Sequence, residues 1–139
     1  MTIIRAVQKS DLTDIQRVSR YLHDSAYTID DFEHSIQGME DSPNDFVYVA
    51  ECEARVIGWI HFFYARRLAT PDFVEMGGLV VDPEFRGRGI GKLLVNRIWE
   101  TGAGKFRVRC NEKRKETHEF YKSLGFSTNK SQLVFERNG

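Results

Sequence analysis

Apolar residues along the chain follow two rhythms. Leu12, Ile15, Val18 and Leu22 recur every three or four positions, as do Ile29, Phe32, Ile36 and Met39, and later Ile90, Leu93, Leu94 and Ile98. That spacing lays one apolar face along a helix. Ser10 or Asp11 stands where a cap for the first helix belongs, and Thr28-x-x-Asp31 has the form of a capping box for the second. A fourth helix spans Arg114–Leu124, with Gly125 as its C-terminal cap. Gly102 stops the third.

The other rhythm is short and rich in β-branched and aromatic residues. It predicts strands over Ile3–Val7, Phe46–Cys52, Val56–Tyr64, Phe73–Val81 and Phe106–Cys110, and a last edge strand over Leu133–Arg137. The turn cluster at 41–45 precedes a hairpin closed near Glu53–Arg55. Gly77 and Gly78 interrupt the fourth strand, where adjacent glycines mark a bulge or a close backbone approach. Helices early and late around a hairpin-rich sheet predict an α/β or α+β domain with helices on both faces.

Composition narrows the class. At 139 residues, 41% hydrophobic and 29% charged, the chain reads as one globular domain over residues 1–139. A chain of that size buries roughly 68–70% of its unfolded surface. No run of about 18 apolar residues is present, which predicts no membrane partner, and the opening residues do not read as a signal peptide. Cys52 and Cys110 are isolated thiols, which points to a reducing, cytoplasmic setting. His23, His34, His61 and His118 make no metal-binding spacing, so no metal is expected. A formal net charge of zero argues against a nucleic-acid partner held by the whole molecule.

The densest chemistry lies in Val80-Val-Asp-Pro-Glu-Phe-Arg-Gly-Arg-Gly-Ile-Gly-Lys92, between a predicted strand and a predicted helix. Amides at a helix start lack intrahelical acceptors, and the helix dipole favours an anion there. Gly87, Gly89 and Gly91 let the backbone approach a phosphate, and Arg86, Arg88 and Lys92 add charge. A Walker loop is excluded, because Arg86 stands where its first glycine belongs and Leu93 where its Ser or Thr belongs. A dinucleotide fingerprint is excluded because its third glycine falls on Lys92 or Leu94.

Arg86-x-x-Gly89-x-Gly91 after an apolar strand resembles the pyrophosphate loop of the GNAT acetyltransferase superfamily. The resemblance extends to Phe120-Tyr121-Lys-Ser-Leu-Gly125-Phe126, which is similar to that family's "FYxxxGF" helix and turn. Arg114 and Thr117 stand where the family often has Asn and Ala, and Arg114 with His118 is similar to a second family variant. The two motifs cover about the last half of the chain. The resemblance implies a GNAT-type fold: a central mixed, mostly antiparallel sheet splayed between two parallel strands, with helices on both faces. It implies acetyl-CoA as co-substrate and an N-acetyltransferase acting by direct attack of an amine in a ternary complex. A homodimer is the assembly it implies.

By the same resemblance, Leu79, Val80 and Val81 offer main-chain hydrogen bonds to the pantetheine arm, and residues Arg86, Gly87, Arg88, Gly89, Ile90, Gly91 and Lys92 wrap the pyrophosphate. Arg114 is a further cofactor contact, and Asn111 is either another or a strand-end cap. An alkylammonium must lose a proton before it attacks a thioester. Glu75 matches the position of a family general base; its other reading is a strand residue paired to a basic neighbour. Tyr121 matches the family tyrosine that gives a proton to the leaving thiolate. His61, in the aromatic run Trp59–Tyr64, is a possible second base, and the face it shares with Trp59 and Phe63 is a candidate wall of the acceptor pocket.

Charge then returns in a new form. Residues 1–84 carry 7 basic and 15 acidic side chains, while residues 85–139 carry 13 basic and 5 acidic. Residues 21–54 hold nine acids and no Lys or Arg. A cationic acceptor amine is one reading of that run, and a solvated acidic helix face is the other. A catalytically silent acyl-CoA sensor is the competing function, since it needs the loop but neither an acid nor a base.

Overall fold

A computed structural model of the chain describes residues 1–22 and 26–139, so His23 and Asp24 lie outside the described residues. The chain divides into two compact units, Met1–Val108 and Arg109–Gly139.

The first unit is built on a five-stranded sheet in the order β1 (Thr2–Ala6), β2 (Asp45–Cys52), β3 (Arg55–Ala65), β4 (Phe73–Val81) and β5 (Phe106–Val108). Neighbours pair antiparallel except β4 and β5, which run parallel. The sheet is therefore mixed and mostly antiparallel, as expected. The β2–β3 hairpin turns through Glu53 and Ala54, both at positive φ. Pairing with β5 covers only Val74–Met76, so beyond Met76 the strand β4 has β3 as its one strand partner among the described residues.

Two bulges decide which side chains face which way. On β3, Ile57 is the extra residue between the Ala50–Gly58 and Glu51–Val56 pairs. A bulge reverses the alternation, and Val56 thereby joins a cluster with Leu12, Ile15, Ile36 and Val49. On β4, Gly77 is the extra residue between the His61–Gly78 and Phe62–Met76 pairs, at the glycine pair where the sequence predicts it. The reversal sets Glu75 on the same face as Gly78 and Val80.

Helices α1 (Leu12–Ser19) and α2 (Ile29–Glu40) cover one face, and α3 (Ile90–Trp99) covers the other. The α1–α2 side holds Val49 and Trp59; the α3 side holds Gly58, whose missing Cβ leaves room for Leu94, and Tyr48, under the Arg97 guanidinium. Burying Ile57, Ile60, Phe62, Leu94 and Ile98 completely, at roughly 1.5–3 kcal/mol each, drives this packing. The Thr28–Asp31 capping box is present, with Asp31 N–H donating to the Thr28 hydroxyl at 3.1 Å and Thr28 N–H to the Asp31 carboxylate at 2.9 Å. Asp11 precedes α1, but its carboxylate turns back to accept from Gln8 N–H and from Arg5. Burial is the strongest single influence and works against that charge; the hydrogen bonds from Arg5 and Gln8 N–H and the Arg5 charge together outweigh it and hold the carboxyl below the usual range. Leu22 falls in the turn after α1 rather than on the helix.

The second unit contains α4 (Lys115–Ser123). Its end is a Schellman motif: Gly125 N–H donates to the Lys122 carbonyl, Phe126 N–H donates to the Tyr121 carbonyl, and Gly125 has φ +95°. The expected strand at Leu133–Arg137 is a correction, since this segment has no regular structure and Leu133, Val134 and Phe135 are exposed. An apolar alternation makes a strand only where a neighbour completes its hydrogen bonds, and none does so here among the described residues. β5 likewise stops at Val108, two residues before the expected end.

Candidate functional site

The loop from β4 to α3 begins with a short 3-10 turn over Pro83–Phe85, capped by the Asp82 carboxylate accepting from Glu84 N–H at 3.0 Å. Asp82 is buried, and Arg17 of α1 holds it at 3.0 Å. The Asp82 N–H also donates to the Ile57 carbonyl at 2.7 Å, one step past the Gly58–Val81 pair of β3 and β4. The base of the loop is thus tied to both α1 and β3.

Its tip is different. Gly87 and Gly89 both sit at φ +78°, a left-handed conformation that L side chains rarely adopt. Gly89 is the N-cap of α3 and brings no capping side chain, so nothing from the cap residue covers the first amides of the helix. Arg86, Gly87, Arg88, Gly89 and Lys92 are exposed, Gly91 is half-buried, and Ile90 is buried as the anchor of α3. Arg86 Nε donates to the Val81 carbonyl at 3.2 Å and the Arg88 guanidinium lies over the Phe85 ring. Among the described residues, none of Arg86, Arg88 and Lys92 meets a carboxylate. The result is a helix start without a capping side chain in a segment that carries three exposed cations, a combination that favours an anion.

Leu79, Val80 and Val81 lie on the part of β4 beyond its β5 pairing. Alternate peptide groups there point away from β3, as they do on any sheet edge. Val80 packs into the core, while Leu79 and Val81 are half-buried.

A polar cluster sits on the α1–α2 face of the same strands. Glu75 forms an ion pair with Arg107, its cross-strand neighbour on β5, through two guanidinium nitrogens. His61 Nε2 meets the Asp45 carboxylate at 2.8 Å, and its ring stacks on Phe63. Trp59 donates from its indole nitrogen to the Ser19 hydroxyl at 3.0 Å. The two glycines admit these rings. A Cβ on Gly77 would lie 2.5 Å from His61 Nδ1, and one on Gly78 would lie 2.9 Å from the Trp59 ring.

In the second unit, Asn111 organises the turn before α4. Its side-chain oxygen accepts from Lys113 N–H at 2.9 Å, and its carbonyl accepts from Arg114 N–H at 3.0 Å and meets His118 Nε2 at 2.8 Å. Arg114 occupies the N-cap position and is exposed. Tyr121 packs edge-on to Phe120 and Phe126. Burial pushes its phenol up to about 12, with the Cys110 charge adding and Arg114 opposing. A phenol in that state stays protonated at neutral pH.

Asp45 and Arg107 are the functional partners that motif reading does not single out. Asp45 falls inside a turn cluster, and only the β2–β3 register brings it to the His61 face. Arg107 reaches Glu75 through a parallel pairing that no local pattern encodes. Among the described residues no group of three or more His, Cys, Asp or Glu side chains is placed to hold a metal, and no helix is long and apolar enough to cross a membrane.

Comparison with known proteins adds three findings. A family model for the acetyltransferase (GNAT) domain matches residues 43–128. An uncharacterized N-acetyltransferase of Archaeoglobus fulgidus is 33% identical over 109 residues, covering 70% of this chain and 71% of that protein. A mycothiol acetyltransferase of Acidothermus cellulolyticus is 28% identical over 101 residues, covering 73% of this chain; the chain spans only 30% of that protein's length. In fold, glucosamine-6-phosphate N-acetyltransferase from Arabidopsis thaliana superposes with a TM-score of 0.86 at 19% identity, over 99% of each chain.

Proposed function

The chain belongs to the GNAT acetyltransferase family, and on that footing we propose that it moves an acetyl group from acetyl-CoA to a primary amine by direct attack in a ternary complex, acting as one domain over residues 1–139. The observation that carries the reading is the loop tip: two left-handed glycines, uncovered helix amides and three exposed cations with no carboxylate partner among the described residues. A pyrophosphate satisfies all of these at once. Charge-assisted hydrogen bonds of this kind are worth about 1.5–3 kcal/mol each.

Residues Arg86 to Lys92 take the pyrophosphate. The outward peptide groups of Leu79, Val80 and Val81 take the amides of the pantetheine arm, and Asn111 and Arg114 supply further cofactor contacts. The acceptor arrives as an ammonium and gives up two protons overall. One leaves before attack, with Glu75 as the base that the family position assigns. The nitrogen then bonds to the thioester carbon, the carbon–sulfur bond breaks, and Tyr121 protonates the departing sulfur. A phenol held near 12 is loaded for that task at neutral pH.

The acceptor class we assign is a small cationic amine, on the strength of nine acids and no Lys or Arg over residues 21–54. Some of these acids have structural work as well: Asp31 closes the capping box, and Glu33 meets Lys9 at 2.9 Å. An attractive field of exposed charge is screened by salt, so the acceptor KM should rise with ionic strength.

Thermal unfolding with acetyl-CoA tests the reading. A ligand at 100 times its Kd stabilises the folded chain by about 2.7 kcal/mol, so a clear rise in Tm is expected. No rise at millimolar acetyl-CoA would overturn cofactor binding. Release of free thiol in the presence of an amine panel then separates an enzyme from a chain that only binds.

A further inference from the structure

We propose that His61, oriented by Asp45, is the proton acceptor for the attacking amine; this rests on the acetyl-transfer reading above and moves the role of base in it from Glu75 to the imidazole. Three features place the imidazole in that role. Its Nε2 lies 2.8 Å from the Asp45 carboxylate, and both side chains are only part-exposed, at 18% and 26%. With Nε2–H donating to Asp45, the lone pair of a neutral ring is left on Nδ1. No hydrogen bond to that atom is present among the described residues, and it packs where a Cβ on the bulged Gly77 would stand, 2.5 Å away. The bulge is also where pairing to β5 has ended and where the edge of β4 becomes available to a ligand.

The contrast with Glu75 sharpens the assignment. Glu75 shares this face, but its carboxylate is committed to two nitrogens of Arg107. The His61 ring, by contrast, is held through one nitrogen by the Asp45 carboxylate, which fixes its orientation and leaves the other ring nitrogen outside that contact. Among the described residues, the charged groups nearest His61 in register on this face are Asp45 on β2, Glu75 on β4 and Arg107 on β5, with Arg5, Asp11 and Glu51 farther along the same face beside α1.

In the step itself, a proton moves from the ammonium to Nδ1, which leaves a neutral amine and an imidazolium. The amine nitrogen attacks the thioester carbon, the tetrahedral adduct expels the thiolate, and the second nitrogen proton ends on sulfur. His61 returns its proton to solvent. The overall change is ammonium plus thioester to amide, thiol and one released proton.

The test is steady-state kinetics of His61→Gln, Asp45→Asn, the double variant and Glu75→Gln, with acetyl-CoA affinity measured alongside. His61→Gln should lower kcat by about 10²-fold or more, within the range of general-base loss, while the acetyl-CoA Kd stays within a few-fold. Asp45→Asn should fall in the same direction, and the double variant should be little worse than His61→Gln, because the pair acts as a unit. The acidic limb of the kcat/KM profile should change in His61→Gln. Unchanged turnover or an unchanged limb in His61→Gln, with the whole loss carried by Glu75→Gln, overturns the proposal and leaves acetyl transfer intact. A wild-type chain that binds acetyl-CoA but releases no thiol with any amine overturns both. If His61→Gln unfolds, His61→Asn and the pH limb of Asp45→Asn decide the question by the same criteria.

Discussion

Arginine does opposite work in two regions of the first unit. At the loop tip, Arg86 and Arg88 are exposed and meet no carboxylate among the described residues. In the sheet and the helix α1 against it, Arg5, Arg17 and Arg107 are each only 24% exposed, and each is held by carboxylates: Asp11 and Glu51, Asp14 and Asp82, and Glu75. The paired set sacrifices binding capacity for position. The loop-tip set meets no carboxylate, and apart from the Arg86 Nε bond to the Val81 carbonyl its donors are left for something that is not part of the chain. Net charge hides this division, because the 20 basic and 20 acidic residues cancel in sum while they are distributed by task.

The sharpest way to break the comparison is to remove the loop charges together. Arg86→Ala/Arg88→Ala/Lys92→Ala should weaken acetyl-CoA binding by 10²-fold or more, since each lost charged hydrogen bond is worth about 1.5–3 kcal/mol. Stability should hardly move, because exposed substitutions usually stay within about 0.5 kcal/mol. Calorimetric titration and thermal unfolding of the same preparation read both quantities. A variant that loses stability and keeps affinity would show that these side chains belong to the fold.

The converse experiment addresses Asp82. Removing Asp82 takes one charged partner from the part-buried Arg17, which keeps Asp14 and the Val56 carbonyl, at a cost of about 1.5–3 kcal/mol. Asp82→Ala also removes the cap on Glu84 N–H. For a domain of this size that corresponds to a fall in Tm of roughly 10 °C. Acetyl-CoA affinity should fall as well, by less than for the loop triple variant, because Asp82 sets the base of the loop without touching its tip. An unchanged Tm would place Asp82 outside the structural set.

What the sequence discloses divides along the same line. Local signals are legible: the Thr28–Asp31 capping box, the Gly77–Gly78 bulge, Gly89 at the helix start and the Gly125 cap all depend on residues close in the chain. The Phe73–Val81 strand matches residue for residue. Partners fixed by register are not legible. Asp45 reaches His61, Arg17 reaches Asp82 and Arg107 reaches Glu75 across separations of 16, 65 and 32 residues. The apolar alternation at Leu133–Arg137 misleads for a related reason, because alternation describes a strand's faces and says nothing about whether an edge is available to pair with. Glu75 shows the limit at a site residue: its place on the strand is readable, but the cation that holds it comes from another strand.

Tyr121 offers the smallest effect and a test of a third kind of group, one set by burial rather than by pairing. Its phenol is raised to about 12, against an ordinary value near ~10. Between those values the folded chain holds a proton that the unfolded chain has released, so stability falls as pH rises through that window. Alkaline titration of the tyrosinate absorbance should show one of the five tyrosines ionising about two pH units later than an ordinary tyrosine, and Tyr121→Phe should remove that component. The same variant should lower kcat with little change in acetyl-CoA affinity, because a proton donor to sulfur is needed only once the carbon–sulfur bond breaks. Should all five tyrosines ionise together near ~10, the ring packing against Phe120 and Phe126 would not be dry enough to hold the phenol back, and the acid would have to work from an ordinary pKa.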